Sequence, residues 1–492
     1  MRLYMLLIIG FSVLMGTSLA ESVDIGDVEA FKQALEQDGF TVQEGRIGYL
    51  DLIKLCDLGL LSSAWGNNPA TKYLTYFVPP APGRGVPEQF SSISAALGMS
   101  QDTSAFFDLG PDEAIVFVGR TPPECRYFSY DHYLLSRTYG NETRFIFANL
   151  ADTVNNLVIN TEGTPNGVAG NPFDQTTVIV ATADRGIDQR IQAAALSAGY
   201  SGDIFNTQVF PSSMLNMGLE ESSDTFLMAL RPALYKDEHA GDDYRNNAPV
   251  KVFRVTPNET TTLDPYGYPE LRVRGTGTTE FDLMDDLEEL RIAILDKYSG
   301  LNATDLPTSQ IMASGSDAIQ RGIDVLGPDN DACYLWTASQ TMSSPTPPFP
   351  DLSQYYDFLR DPAITLGNGT NEFIVVYGVN HVATGKATYS SFVPYGADIW
   401  NGVGSITDED FSGTAEEYLP DNPNAEYLYV YKIARNCEDD PHCYEVPYGI
   451  GAYGIDLDQP LWIGWRIYLE ESTKTGPSYS EIVYDRAIKF DE

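Results

Sequence analysis

The sequence repeats itself. Glu113-Ala-Ile-Val-Phe-Val-Gly119 returns as Glu372-Phe-Ile-Val-Val-Tyr-Gly378. Arg231-Pro-Ala-Leu234 returns as Arg466-Ile-Tyr-Leu469, and Gly241-Asp-Asp-Tyr244 as Gly476-Pro-Ser-Tyr479. The spacings inside each motif match and the motifs keep their order, which is how a module present twice reads in sequence. The expected architecture is therefore two related β-rich modules with a cleft between them. The fold class that follows is mixed and β-dominated, α+β.

Module one is expected over residues 112–257 and module two over residues 371–492. In module one, Ala114–Val118, Arg126–Leu135, Thr177–Ala181, Thr225–Leu234 and Lys251–Val255 read as strands, rich in β-branched and aromatic residues and bounded by Gly, Pro, Asn and Asp. One helix, Ile187–Ala198, is closed by Gly199. Each module has too many strands for a hairpin and little strand-helix alternation, so a β-sandwich-like module is expected.

Residues 21–111 read as a helical N-terminal cap. Val28, Phe31 and Leu35 share one helix face, and Leu50 to Leu61 is apolar with a helical look before the Trp65-Gly-Asn-Asn-Pro69 turn cluster. Residues 258–370 read as a connector. There Thr279 and Asp282 suggest a capping box ahead of an apolar stripe of Leu283, Leu287, Leu290 and Ile294. A Pro-rich stretch, Ser343–Pro350, predicts a stiff loop.

The first 20 residues have the form of a secretory signal: Arg2, an apolar run from Leu3 to Gly16, and small residues Ser18-Leu19-Ala20. No later apolar run is long enough to span a membrane. Four Asn-x-Ser/Thr sequons, at Asn141, Asn258, Asn302 and Asn368, agree with a secreted, glycosylated product. The formal charge of -39, from 69 acids against 30 bases, argues against nucleic acid and anionic lipid as partners. Of the 5 cysteines, Cys437 and Cys443 are placed to close a short disulfide loop, and the odd count leaves at least one thiol over. A metal at Cys437, His442 and Cys443 is the weaker reading, because no second ligand pair lies nearby.

Candidate chemistry follows the repeat. Two of the 4 histidines lie just after the repeated Gly motif, one in each module. His381, Lys386 and Tyr389 form one candidate catalytic set: a proton acceptor, a cation for developing charge and a proton donor. Arg126, Tyr130 and His132 are the counterpart in module one. The plainer reading of both is the polar face of a strand. Arg231 and Arg466 sit among apolar strand residues, where a charge requires a partner. A structural ion pair or an anion site at the module interface satisfies that requirement. Arg272 to Glu280 reads as a capped loop, since the third Gly of a dinucleotide fingerprint is missing. Nucleophile-elbow, zinc-protease, P-loop and EF-hand motifs are absent from the sequence. No cofactor is expected. Ca²⁺ at Asp329-Asn330-Asp331 or Asp408-Glu409-Asp410 is the one weak candidate.

Two functions fit these residues. The favoured one is an extracellular or cell-surface protein that binds a small-molecule or carbohydrate ligand between the modules. The other is an extracellular lyase or hydrolase acting on a carbohydrate or other polymer. Oligomeric state is not encoded in any feature above.

Overall fold

A computed structural model describes residues 25–310, 314–337 and 364–492. The signal-like segment and the Pro-rich stretch at 343–350 lie outside the described residues. The fold is mixed α+β and dominated by strands, arranged in several sheets.

The first half begins with helix α1 (Val28–Gln37), whose Asp27 side chain caps the Ala30 amide. Its strands are β1 (Phe40–Tyr49), β2 (Leu74–Phe77), β3 (Ala114–Arg120), β4 (Cys125–Tyr127), β5 (Ser129–Tyr139), β6 (Glu142–Asn149), β7 (Val154–Asn155), β8 (Thr176–Thr182), β9 (Phe205–Val209), β10 (Thr225–Leu230), β11 (Ala233–Tyr235) and β12 (Val250–Pro257). Ten of them form one sheet in the order β6-β5-β10-β2-β1-β12-β3-β8-β9, with β7 beside β5. Strand β1 is the hinge of this sheet. Its residues Phe40 to Gly45 pair with β12, and Arg46 to Tyr49 pair with β2. The two wings share one apolar core, drawn from Tyr76 on β2, Phe117 on β3, Tyr130 on β5, Ile179 on β8 and Phe226 on β10. On its other face the β12-β3-β8 wing is covered by α1 and by helix α2 (Arg185–Ser197), through Phe31, Leu35, Ile187 and Ile191.

The second half opens with helix α3 (Met284–Lys297), which buries Leu287, Leu290 and Ile294. Its strands are β13 (Asn302–Leu306), β14 (Thr308–Gln310), β15 (Ala332–Thr337), β16 (Phe373–Val379), β17 (Tyr389–Gly396), β18 (Asn401–Gly402), β19 (Ile406–Thr407), β20 (Leu428–Ala434), β21 (Cys443–Glu445), β22 (Leu461–Tyr468) and β23 (Arg486–Asp491). They form a sheet of order β13-β23-β16-β20-β21 and another of order β14-β15-β22-β17-β18, with β19 beside β17. Only Pro307 separates β13 from β14, and proline has no amide to give a ladder.

Strand β3 runs antiparallel to both β12 and β8, and β8 runs parallel to β9. Strand β16 runs antiparallel to both β23 and β20, and β20 runs parallel to β21.

Three expectations require correction. Residues 21–111 are not a helical cap, because β1 and β2 are inner strands of the ten-stranded sheet. Residues 258–370 are more than a connector, because β13, β14 and β15 pair inside the second-half sheets. The capping box at Thr279 and Asp282 is absent. A 3₁₀ turn, Phe281–Leu283, precedes α3, no side chain caps it, and Glu280 turns inward instead.

Candidate functional site

The repeated arginines meet at the boundary of the halves. Arg231 follows the last residue of β10, where Pro232 ends the strand. Its amide still bonds the Ser129 carbonyl at 2.9 Å, which holds the side chain over β5. Arg466 sits inside β22, opposite Tyr334 on β15 and Ser391 on β17. Both side chains are buried, and both line one partly open cavity of about 60 Å³.

Their partners differ. Arg231 of the first half pairs with Asp329 of the second at 2.7 Å and donates to the Tyr133 hydroxyl at 2.8 Å. Asp131 lies 3.8 Å away. Arg466 of the second half donates to the Tyr395 hydroxyl at 3.0 Å and to the Gly66 carbonyl of the first half. Among the described residues, no carboxylate lies within 4.0 Å of it. The rings of Tyr334 and Tyr395 pack at 5.2 and 5.9 Å from its guanidinium. Burial pushes Tyr395 up to about 12, and pushes Tyr133 and Tyr334 well above the usual phenol range. These phenols are therefore neutral at ordinary pH and supply no counter-charge to Arg466.

Leu50, Leu52, Phe106, Phe147, Leu227 and Leu326 make much of the cavity lining apolar. Arg231, Arg466, Tyr133, Tyr334 and Trp462 bring hydrogen-bond donors to the same lining. Two of those donors, Arg231 Nε and Trp462 Nε1, are buried without a hydrogen-bond partner. Both atoms are sealed by surrounding protein atoms and present no accessible surface to the cavity.

The other candidates are closed. His381 is buried between Glu280, whose Oε1 lies 2.9 Å from Nδ1, and Asp485, whose Oδ2 lies 3.2 Å from Nε2. Burial alone would lower its pKa, but the two carboxylates raise it to about 10, so it is a fixed imidazolium. Lys386 is buried against Glu470 at 2.9 Å and Glu481 at 2.7 Å. Tyr389 is buried, stacked on Tyr468, and bonded to Asn68 and Ser391. Three separate partner sets thus hold these side chains, and none of the three lines the cavity.

In the first half, His132 is buried against Phe210 and bonds the Val209 carbonyl at 2.8 Å. Burial pushes it down to about 4, which keeps it neutral. Tyr130 packs between Phe117 and Phe128 in the core. Arg126 crosses to the second half and pairs with Asp408 and Glu409, both at 2.9 Å.

The Ca²⁺ candidates are likewise engaged. Asp329 holds Arg231. Asp331 accepts from Tyr127, Thr153, Asn155 and Arg272, and Asp410 caps at Thr407. Among the described residues, no group of three or more His, Cys, Asp and Glu is arranged to hold a metal. Cys437 and Cys443 are joined by a disulfide, which replaces the metal reading there, while Cys56, Cys125 and Cys333 are free. The four sequon asparagines are exposed. No described helix is long and apolar enough to cross a membrane.

Sequence reasoning found the two arginines but missed most of the cavity wall. Trp462 lies four residues before Arg466 in the same strand, and Trp65 stands in the turn cluster beside Gly66. An aromatic recurring near a strand arginine was the available signal.

No family model matches the sequence, and no curated protein matches it. Among solved structures, an uncharacterized protein from Burkholderia cenocepacia is similar over 93% of this chain and 86% of its own, at 10% identity and a TM-score of 0.38. The VPA0106 protein from Vibrio parahaemolyticus is similar over 94% of this chain and 96% of its own, at 11% identity and a TM-score of 0.33.

Proposed function

We propose that this chain is a secreted, glycosylated protein built from a duplicated β-sandwich-like module, and that it binds a small ligand in the cavity between its two halves. One observation carries the reading: Arg231 and Arg466, equivalent residues of the repeated motif, line the same cavity from opposite halves. A mostly apolar cavity with a few convergent polar groups is the usual form of a small-molecule site. Support for the duplication comes from the matching strand pairings around β3 and β16. The exposed sequons and the disulfide fit an extracellular life. Binding is favoured over polymer cleavage because His381, Lys386 and Tyr389 are each buried and engaged elsewhere.

The test is a thermal-shift screen of small charged and neutral compounds on the full chain, repeated on Ala229→Leu, which fills the cavity from β10. A compound that raises the melting temperature of the wild type and not of the variant supports the reading. If no compound separates the two proteins, the cavity is not a ligand site.

A further inference from the structure

The structure assigns a ligand class to this cavity: we infer that it takes a short-chain aliphatic monocarboxylate, its carboxylate on Arg466 and its hydrocarbon against Leu227, Leu326 and Phe147. This rests on the binding reading above and names what is bound.

Charge decides the head group. Arg231 has its counter-ion in Asp329, at 2.7 Å. Arg466 has hydroxyls and a carbonyl, and no carboxylate within reach among the described residues. A buried cation without a counter-ion is costly, and an anion in the adjoining space removes that cost. One anionic charge matches one uncompensated arginine, and a dianion would leave an excess.

Size and polarity decide the rest. The cavity of about 60 Å³ is partly open, which suits a head group held inside with a short alkyl chain. Propionate and butyrate have that form. A halide would fill the charged end and leave the apolar end empty. A sugar would bring hydroxyls to Leu227, Leu326 and Phe147, which cannot bond them.

The test is isothermal titration of the full chain with sodium propionate, against propionamide and sodium chloride. Propionate should bind, and propionamide should bind at least about tenfold more weakly, because it lacks the charge. Each methylene from acetate to butyrate should tighten binding about fourfold, and octanoate should be excluded. Arg466→Gln should weaken propionate roughly 30-fold, and Arg466→Lys less. Ala229→Leu fills the cavity from β10, so it should weaken propionate at least about tenfold even if the arginine variants fold poorly. Equal binding of propionamide and propionate, or wild-type affinity for propionate in both Arg466→Gln and Ala229→Leu, overturns the carboxylate. Binding of chloride as tight as propionate overturns it too. A neutral compound that binds the wild type but not Ala229→Leu would sink this inference and leave the binding cavity standing. Failure of every compound, propionate included, sinks both.

Discussion

Arg231 of the first half reaches into the second to pair with Asp329, and Arg466 of the second half reaches into the first to the Gly66 carbonyl. The exchange is reciprocal in direction and unequal in charge. One arginine of the repeated motif lies in an internal ion pair, and the other leaves an uncompensated cation on a cavity wall.

That inequality sets the stability of the two arginine variants. Arg231→Met leaves Asp329 buried and unpaired and should cost about 3–5 kcal/mol. Arg466→Met strands no carboxylate and should cost about 1 kcal/mol. Urea unfolding of both variants checks this, and equal losses would show that Arg466 has an ionic partner after all.

The repeated glutamates divide in the same way. Glu113 pairs with the fully buried Arg254 at 2.5 Å, and Glu372 with Lys489 at 3.0 Å, on strands of matching position. Burial alone would raise Glu113, but Arg254 and Thr256 hold it below the usual carboxylate range. Glu113→Gln should cost about 3 kcal/mol, since it strands a buried guanidinium. Glu372 is partly exposed, so Glu372→Gln should cost no more than about 1 kcal/mol. Denaturation midpoints of the two variants decide between them.

The two core histidines should tilt stability in opposite directions with pH. His381 has its pKa raised to about 10, so its contribution is complete below about 6.5 and is lost as pH rises toward 10. His132 has its pKa lowered to about 4, so its contribution is present above about 6.5 and is lost as pH falls toward 4. Urea midpoints between pH 4 and 10 should show His381→Gln flattening the alkaline limb and His132→Gln flattening the acid limb. A His381→Gln protein with the wild-type alkaline slope would contradict the imidazolium assignment.

The disulfide closes a short loop beside β20, with Cys443 opposite Lys432 on that strand. Loop-closure entropy for so short a span is about 2 kcal/mol. Replacing both Cys437 and Cys443 by Ser should lower stability by that amount and leave the cavity untouched. Calorimetry and propionate titration of the double variant together check this.

The strands flanking the repeated glutamates could be read from their β-branched runs, and the helix Ile187–Ala198 lies within one or two residues of α2. The repeat also marked both arginines, because a charge among apolar strand residues is rare. Part of the motif's meaning appears only in three dimensions. Leu234 and Leu469 both take φ near +50° (56° and 50°), a bend that a leucine adopts only under tertiary constraint. A Cβ at Gly119 would fall 2.6 Å from the Pro249 carbonyl, which explains the glycine ending the first copy.

Strand β1 was hidden because Gln43, Glu44 and Arg46 and two glycines break its apolar alternation. Strand β13 was hidden because it is short, polar and exposed. Asp329 read as an acidic run, since nothing local shows that its partner lies 98 residues earlier, at Arg231. His381, Lys386 and Tyr389 suggested a catalytic set because their spacing reveals neither burial nor the acids that surround them.

The most direct measurement is a high-resolution crystal structure of the protein grown in propionate, paired with one grown without carboxylates. The account predicts density for a single small carboxylate between Arg466 and Trp462 in the first, with its alkyl end toward Phe147. Identical, featureless cavities in the two crystals, with Arg466 turned to a carboxylate of the protein, would contradict it.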